Sequence, residues 1–195
     1  MNTVQLIIAA IIFFTACTPA VKEEKRDVAT KSNCSYTLNE INPVGNHVRV
    51  VEGALFISLE NAVADSSRKS LTNDYMKGYL SCVRVDTVMG IYFDFKIYSL
   101  NAYRDYGMIR KGNQISFILA SGKTVTVPFA GTFSGNTNLS AEHTEYKTFS
   151  RISRKEAEML KSSDLQRIKI SWTKVEEEYK AVNPAIFINQ LPCVE

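Results

Sequence analysis

Apolar and polar residues alternate along most of the chain from residue 36 onward, and a period of two is typical of half-buried β-strands. The stretch 90–100 is a clear case, because Ile91, Phe93, Phe95 and Ile97 share one face while polar or amphipathic side chains occupy the other. An antiparallel sheet with one solvated side requires this contrast. Further strands are predicted over 36–41, 47–59, 77–85, 115–119, 125–129, 144–152 and 168–172, with a last one running through Tyr179.

Two short helices are predicted late in the chain. Ser153 and Glu156 form a capping box, in which each side chain satisfies a backbone amide, and this predicts a helix over 154–162. Asn183 as N-cap and Pro184 at the first helical position predict a short closing helix. The order of elements predicts an α+β domain that is mainly antiparallel β, with a sandwich- or barrel-like sheet of about 7–9 strands and two short helices near the C-terminus.

Two local signals refine the strand prediction. The stretches 115–119 and 125–129 flank a short connection that contains Gly122, which is typical of a β-hairpin. Pro128 lacks an amide donor, so its strand is expected to lie at the edge of a sheet or to end there. Residues 60–77 show no clear period and are expected to form a loop or one short helix.

The N-terminal segment predicts where the protein resides. Its apolar run, residues 6–14, is shorter than the roughly 20 residues that a membrane-spanning helix needs, and it lies within the length range of a signal-peptide core. The run ends in Phe14-Thr15-Ala16-Cys17, which resembles the lipobox of bacterial lipoproteins at its last three positions, with Phe14 where Leu is usual. The resemblance implies a signal peptide over 1–16 and lipidation, including a palmitate, at Cys17.

The charged segment after the cysteine predicts the remaining organisation. Residues 17–33 contain few large apolar side chains and are expected to be a disordered tether, which leaves 34–195 as a single globular β-rich domain. Thr18 is not the aspartate that retains lipoproteins at the inner membrane in enteric bacteria, and the cluster Lys22–Lys25 resembles export signals of Bacteroidota surface lipoproteins. We therefore expect a lipid-anchored protein of the cell envelope, at the outer membrane.

The pattern of the domain resembles a group of uncharacterised Bacteroidota lipoproteins. The resemblance covers roughly residues 35–195 and rests on the serine-capped helix, the Ile168-Lys169-Ile170 strand, a hairpin return and a final helix that ends in Leu-Pro-Cys193. No function is attached to that group, so it implies no site residues.

Charge and cysteine content exclude several function classes. The net charge is +3, and the basic residues are scattered along the chain, which indicates no nucleic-acid partner. Of the four cysteines, Cys17 is assigned to the lipid. Cys34, Cys82 and Cys193 then allow at most one intramolecular disulfide, with three possible pairings and one thiol left over. Their wide spacing, without a nearby histidine, does not indicate a metal site, and no cofactor is expected.

Candidate binding residues lie in the middle of the chain, where six tyrosines fall between residues 75 and 106. Ordinary sheet packing explains most of them, but partly solvated tyrosines also anchor glycans and protein partners. The segment 101–112 combines Tyr103, Arg104, Tyr106 and Arg110 in a predicted loop, and loops often carry binding residues. These four residues are the candidate binding loop.

No catalytic motif is present, so the leading hypothesis is a non-enzymatic lipoprotein that is held at a membrane through Cys17 and binds a protein, a glycan or another envelope component. An alternative is a carrier whose sheet closes around a small apolar ligand, as in lipocalin-like barrels. A less favoured alternative is a hydrolase that uses His143 with a nearby carboxylate such as Glu142 or Glu145.

Overall fold

The computed structural model of the chain describes residues 34–60 and 74–195. Within these ranges the fold is α+β and mainly antiparallel β, as the alternation predicts. The strands are β1 Tyr36–Ile41, β2 His47–Val51, β3 Ala54–Glu60, β4 Asp74–Val85, β5 Val88–Ile97, β6 Gln114–Leu119, β7 Thr124–Pro128, β8 Asn136–Asn138, β9 His143–Ile152, β10 Leu165–Ser171 and β11 Glu176–Lys180. The helices are α1 Ala102–Tyr106, α2 Arg154–Lys161 and α3 Ile186–Val194.

The strands form two antiparallel sheets. The larger has seven strands in the order β1-β2-β4-β5-β9-β8, with β3 also paired to β4. Because β4 is twelve residues long, β2 pairs with its last three residues and β3 with its first half. The smaller sheet has the order β11-β10-β6-β7, so Pro128 lies on an edge strand as expected.

A layer of aromatic rings joins the inner faces of the two sheets. Phe93 on β5 is fully buried, and its ring centroid lies 5.8 Å from Phe95, 6.0 Å from Phe56 and 6.3 Å from Phe117 on the smaller sheet. Phe129, directly after β7, meets Phe93 edge-on at 5.8 Å. Each fully buried side chain of this type contributes about 1.5–3 kcal/mol, so this layer contributes strongly to the cohesion between the sheets.

Local sequence signals predict α2 better than the other helices. The Ser153 hydroxyl accepts a hydrogen bond from the Glu156 amide at 3.2 Å, and the Ser153 amide donates to Glu156 Oε2 at 2.6 Å, which confirms the capping box. The predicted start of α3 is wrong, because its N-cap is Ala185. The Pro184 carbonyl instead accepts the Leu165 amide at 2.8 Å, which holds this segment in a turn against β10. Helix α1 was not predicted.

Helix α3 is fastened to the larger sheet by a buried amide and a disulfide. Gln190 Oε1 accepts the Cys82 amide of β4 at 2.9 Å, while Gln190 Nε2 donates to the Glu52 carbonyl at 3.0 Å. A disulfide joins Cys34 to Cys193. Cys82 is buried and unpaired, and burial raises the pKa of its thiol. The expectation of one disulfide and one remaining thiol is confirmed, with the pairing now decided.

Several expectations concern residues outside the described ranges. The signal peptide over 1–16, the tether over 17–33 and lipidation at Cys17 lie there, as does most of the stretch 60–77, although β4 already begins at Asp74. Among the residues that the structure does describe, we find no helix long and apolar enough to cross a membrane.

Candidate binding surface

The outer face of the larger sheet carries a cluster of tyrosines and charged side chains on three neighbouring strands. Strand pairing places Asp94 between Tyr79 of β4 and Lys147 of β9, and it places Lys96 opposite Glu145. Tyr92 follows on β5, two residues from Asp94 and therefore on the same face. We call Tyr79, Tyr92, Asp94, Lys96, Glu145 and Lys147 the outer-face cluster.

Glu145 is the hub of the charges in this cluster. Its carboxylate receives Lys147 Nζ at 2.8 Å and lies 3.9 Å from Lys96 Nζ. Burial acts to raise the pKa of Glu145, but the hydrogen bond from Lys147 and the charges of both lysines outweigh burial and lower the pKa. The same hydrogen bond raises the pKa of Lys147. Glu145 is therefore held as a carboxylate with cations on two sides.

The pKa of Asp94 is shifted in the opposite direction to that of Glu145. Its Oδ1 is buried and has no hydrogen-bond partner, and burial followed by the negative charge of Glu145 raises the pKa of the carboxyl group. Burial likewise raises the pKa of Tyr92 beside it. Leaving a buried polar atom unpaired costs about 1–3 kcal/mol, so the unpaired Asp94 Oδ1 requires an explanation, and a ligand that binds there is one. Neighbouring carboxyl groups with pKa values moved in opposite directions are also typical of functional sites.

Two shallow pockets flank the charged ridge. One has a volume of about 280 Å³ and lies on the β4 side, where Tyr79, Tyr92, Asp94 and Lys96 form its walls. The other has a volume of about 420 Å³ and lies on the β8 side, between Glu145 with Lys147 and the segment 132–136. Because β5 and β9 are adjacent strands, the two pockets are neighbours on the same face of the larger sheet.

Small residues shape this face where large ones could not fit. A Cβ on Gly90 would lie 2.1 Å from the Phe149 ring and 2.7 Å from the Ser150 carbonyl, so the Phe149 ring rests directly on the backbone of β5. Gly53 lines the smaller pocket, where a Cβ would come within 3.2 Å of Ser81 Oγ. These glycines keep the surface low beside the two tyrosines.

The candidate binding loop is divided by the structure. Tyr103 is 49% exposed, and Arg104 and Arg110 are also exposed. Tyr106 is 4% exposed and packs edge-on against Trp172, with ring centroids 5.2 Å apart. Its segment is helix α1 and not the predicted loop. Three of the four residues therefore lie at the surface, while Tyr106 is part of the core.

The structure also places the residues on which the alternative functions depend. His143 Nδ1 contacts the Ala141 carbonyl at 3.2 Å and its ring lies beside Tyr98, but within residues 34–60 and 74–195 no carboxylate pairs with it. No group of three potential metal ligands occurs in those ranges either. The space between the sheets, where a carrier would hold its ligand, contains the packed Phe93 layer.

Sequence reasoning did not identify the outer-face cluster as a unit. Alternation along 90–100 assigned Tyr92, Asp94 and Lys96 to the solvated face, but Glu145 and Lys147 follow about fifty residues later on β9. The register between two strands is a property of the folded sheet, because the turn and core packing set it over that distance. The unusual density of charge and tyrosine on one face was the available signal.

Comparison of the chain with protein-family models, with curated proteins and with solved structures finds no match. The geometry of the chain itself must therefore support any functional proposal.

Proposed function

We propose that the protein is a lipid-anchored lipoprotein of the bacterial cell envelope, at the outer membrane, and that its β-domain binds a glycan through the outer-face cluster. The lipobox-like segment that ends at Cys17 supports the anchoring. Binding, and not catalysis, is proposed because His143 has no carboxylate partner among the described residues.

The observation that carries the binding proposal is that Asp94 lies beside two tyrosines, Tyr79 on the neighbouring strand and Tyr92 on its own. A sugar ring presents both apolar C–H faces and hydroxyl edges, and tyrosine has an apolar ring with a polar tip. Tyr79 and Tyr92 line the smaller pocket together with Asp94 and Lys96. A ligand hydroxyl that donates to Asp94 Oδ1 would supply the hydrogen bond that this oxygen lacks.

The size of the pockets favours a glycan over a folded protein partner. Stable protein interfaces bury about 1,200–2,000 Å² and depend on a dry, well-packed centre. Here the centre is a ridge of charged side chains, Lys96, Glu145 and Lys147, with a small pocket on each side. A chain of sugar units that crosses the ridge can place one ring in each pocket.

Affinity electrophoresis of the full chain in detergent, through gels that contain mannan, xylan or dextran, tests the binding proposal. We expect one polysaccharide to retard the native protein and Tyr79→Ala, Tyr92→Ala and Asp94→Ala each to reduce the retardation at least several-fold. Tyr103→Ala is the matched control, because it removes an exposed tyrosine from the candidate binding loop instead. Retardation that depends on Tyr103 and not on Tyr79 or Tyr92 would assign binding to that loop and refute the proposal.

The anchor is tested separately in cells. Labelling with a palmitate analogue should mark the native chain, and Cys17→Ser should abolish the label. Labelling that persists in Cys17→Ser would contradict lipidation at this residue, and it would leave the glycan test unaffected.

A further inference from the structure

A third pocket, of about 690 Å³, lies at one end of the molecule and is lined by three arginines. Arg84 comes from the end of β4, Arg151 from the end of β9 and Arg154 from the first turn of α2. Thr87, Ser153 and Glu195 contribute polar groups to the same walls. We call this the arginine pocket; it shares no residue with the outer-face cluster.

The cations in this pocket are incompletely balanced. Arg84 donates to the carbonyls of Asp86 and Val194, but within the described part of the chain neither Arg151 nor Arg154 forms an ion pair or a side-chain hydrogen bond. The side-chain carboxylate of Glu195, which also lines the wall, is bound by Lys161 Nζ at 2.5 Å, and the Glu195 main-chain oxygen accepts a hydrogen bond from Arg49. The pocket thus presents guanidinium groups whose donors are available to an anion.

The first turn of α2 adds to this potential. Its amide end carries partial positive charge, so that anions are favoured there and cations are not. Arg154 and Lys155 nevertheless occupy its first two positions, while the capping box uses only the amides of Ser153 and Glu156. A sequence that breaks a local rule in this way often does so at a functional site.

Exposed apolar side chains lie in and near the arginine pocket at the same end of the molecule. Val88, in the pocket wall, is 44% exposed, and Ile41 and Val44 of the β1–β2 hairpin are 71% and 79% exposed. This hairpin lies beside the β4–β5 turn, because His47 and Asp86 exchange two hydrogen bonds of 2.9 and 2.8 Å. Exposed apolar side chains do not contribute to binding of free phosphate, whereas they can insert between the headgroups of a bilayer surface.

We propose that the arginine pocket binds the phosphate of an anionic lipid and that this end of the domain docks on the membrane surface. The proposal rests on the envelope location proposed above for its access to a bilayer. Arg84, Arg151 and Arg154 bind the phosphate, while Ile41, Val44 and Val88 enter the headgroup layer. Docking in this orientation holds the domain against the membrane independently of the lipid anchor.

Hydrogen exchange of the full chain in lipid vesicles tests this docking. We expect peptides that cover 84–90 and 150–156 to exchange several-fold more slowly when phosphatidylglycerol is added to phosphatidylcholine. Arg151→Gln with Arg154→Gln should abolish that difference, since each cation near an anionic leaflet contributes roughly a fivefold factor. Lys123→Gln with Lys180→Gln, which removes two exposed cations of the smaller sheet, is the charge-matched control and should retain it.

Each other outcome of this experiment decides against a stated part of the proposal. Equal protection by millimolar inorganic phosphate in pure phosphatidylcholine vesicles would show a soluble phosphate ligand and overturn membrane docking. No protection by either, or protection that survives the arginine variants, would overturn the pocket itself. Unchanged exchange in residues 91–97 verifies that each variant is folded. A negative palmitate test with positive protection would refute the anchor alone.

Discussion

The outer faces of the two sheets contain similar residue types but arrange them differently. On the smaller sheet, Arg167 pairs with Glu178 at 2.7 Å and Lys169 with Glu176 at 2.6 Å, all of them well exposed. On the larger sheet, Glu145 is shared between two lysines and Asp94 Oδ1 has no partner. On the smaller sheet, charged side chains pair with each other across neighbouring strands. On the larger sheet, one polar atom has no hydrogen-bond partner and lies beside two tyrosines. This difference distinguishes a solvated face from a candidate binding face.

The largest expected effect is on the aromatic core between the two sheets. Phe93→Ala should lower the free energy of unfolding by about 3–5 kcal/mol, because Phe93 is fully buried and contacts rings of both sheets. Urea denaturation measures the change, with Phe133→Ala as the control, since Phe133 is 36% exposed and should change stability by less than about 1 kcal/mol. Hydrogen-exchange data that show the two sheets unfolding separately would contradict the conclusion that they share one core.

A smaller effect is expected from a change confined to the larger sheet. Gly90→Ala should destabilise the domain by about 1–3 kcal/mol, because the new Cβ would meet both the Phe149 ring and the Ser150 carbonyl. Thermal unfolding gives the magnitude. Gly53→Ala is the matched control beside the smaller pocket, where the nearest atom to a Cβ is Ser81 Oγ at 3.2 Å. Equal losses in the two variants would mean that the Phe149 contact has no special role.

The carboxyl groups of the outer-face cluster should respond to pH in opposite directions. Because the pKa of Asp94 is raised in the folded state, the folded protein loses stability as pH rises through that pKa. Asp94→Asn does not titrate, so it should gain stability relative to the native chain as pH rises from acid to neutral. Glu145 has a lowered pKa and stabilises the fold above its unfolded pKa, so the deficit of Glu145→Gln should shrink as pH falls. Slopes of the same sign, measured by thermal unfolding across pH, would refute the assignment.

The smallest effect is expected on the smaller sheet. A double-mutant cycle on Arg167 and Glu178 should give a coupling free energy of about 0.2–1 kcal/mol, because exposed pairs gain little in water and are screened by salt. Neither substitution should alter retardation in the polysaccharide gels. A change in retardation as large as that from Tyr79→Ala would remove the functional distinction between the two faces.

Local patterns predicted the elements whose causes are local. The alternation of Phe93 and Phe95 with Asp94 and the capping box of Ser153 needed only neighbouring residues, and both are present in the structure. The predicted boundary at Asn183 failed because a distant strand uses the Pro184 carbonyl.

The parts of the candidate site that were missed depend on distant contacts. Tyr106 looked like a loop tyrosine, but Trp172 of another segment covers it. Asp94 and Glu145 come together through the register of β5 with β9, which neither strand encodes alone. The pairing of Cys34 with Cys193 was likewise one of three possibilities until the fold placed α3 beside the start of β1.

The Cys34–Cys193 disulfide also determines how mechanical load enters the domain. β1 is an edge strand, and a pull on its N-terminal end would tend to peel it from β2 one hydrogen bond at a time. The disulfide instead transfers that pull to α3, which is joined to β4 through Gln190. Under the anchoring proposed above, shear forces that reach Cys34 would therefore be distributed over the interior of the fold, and the exposed edge would carry little of them.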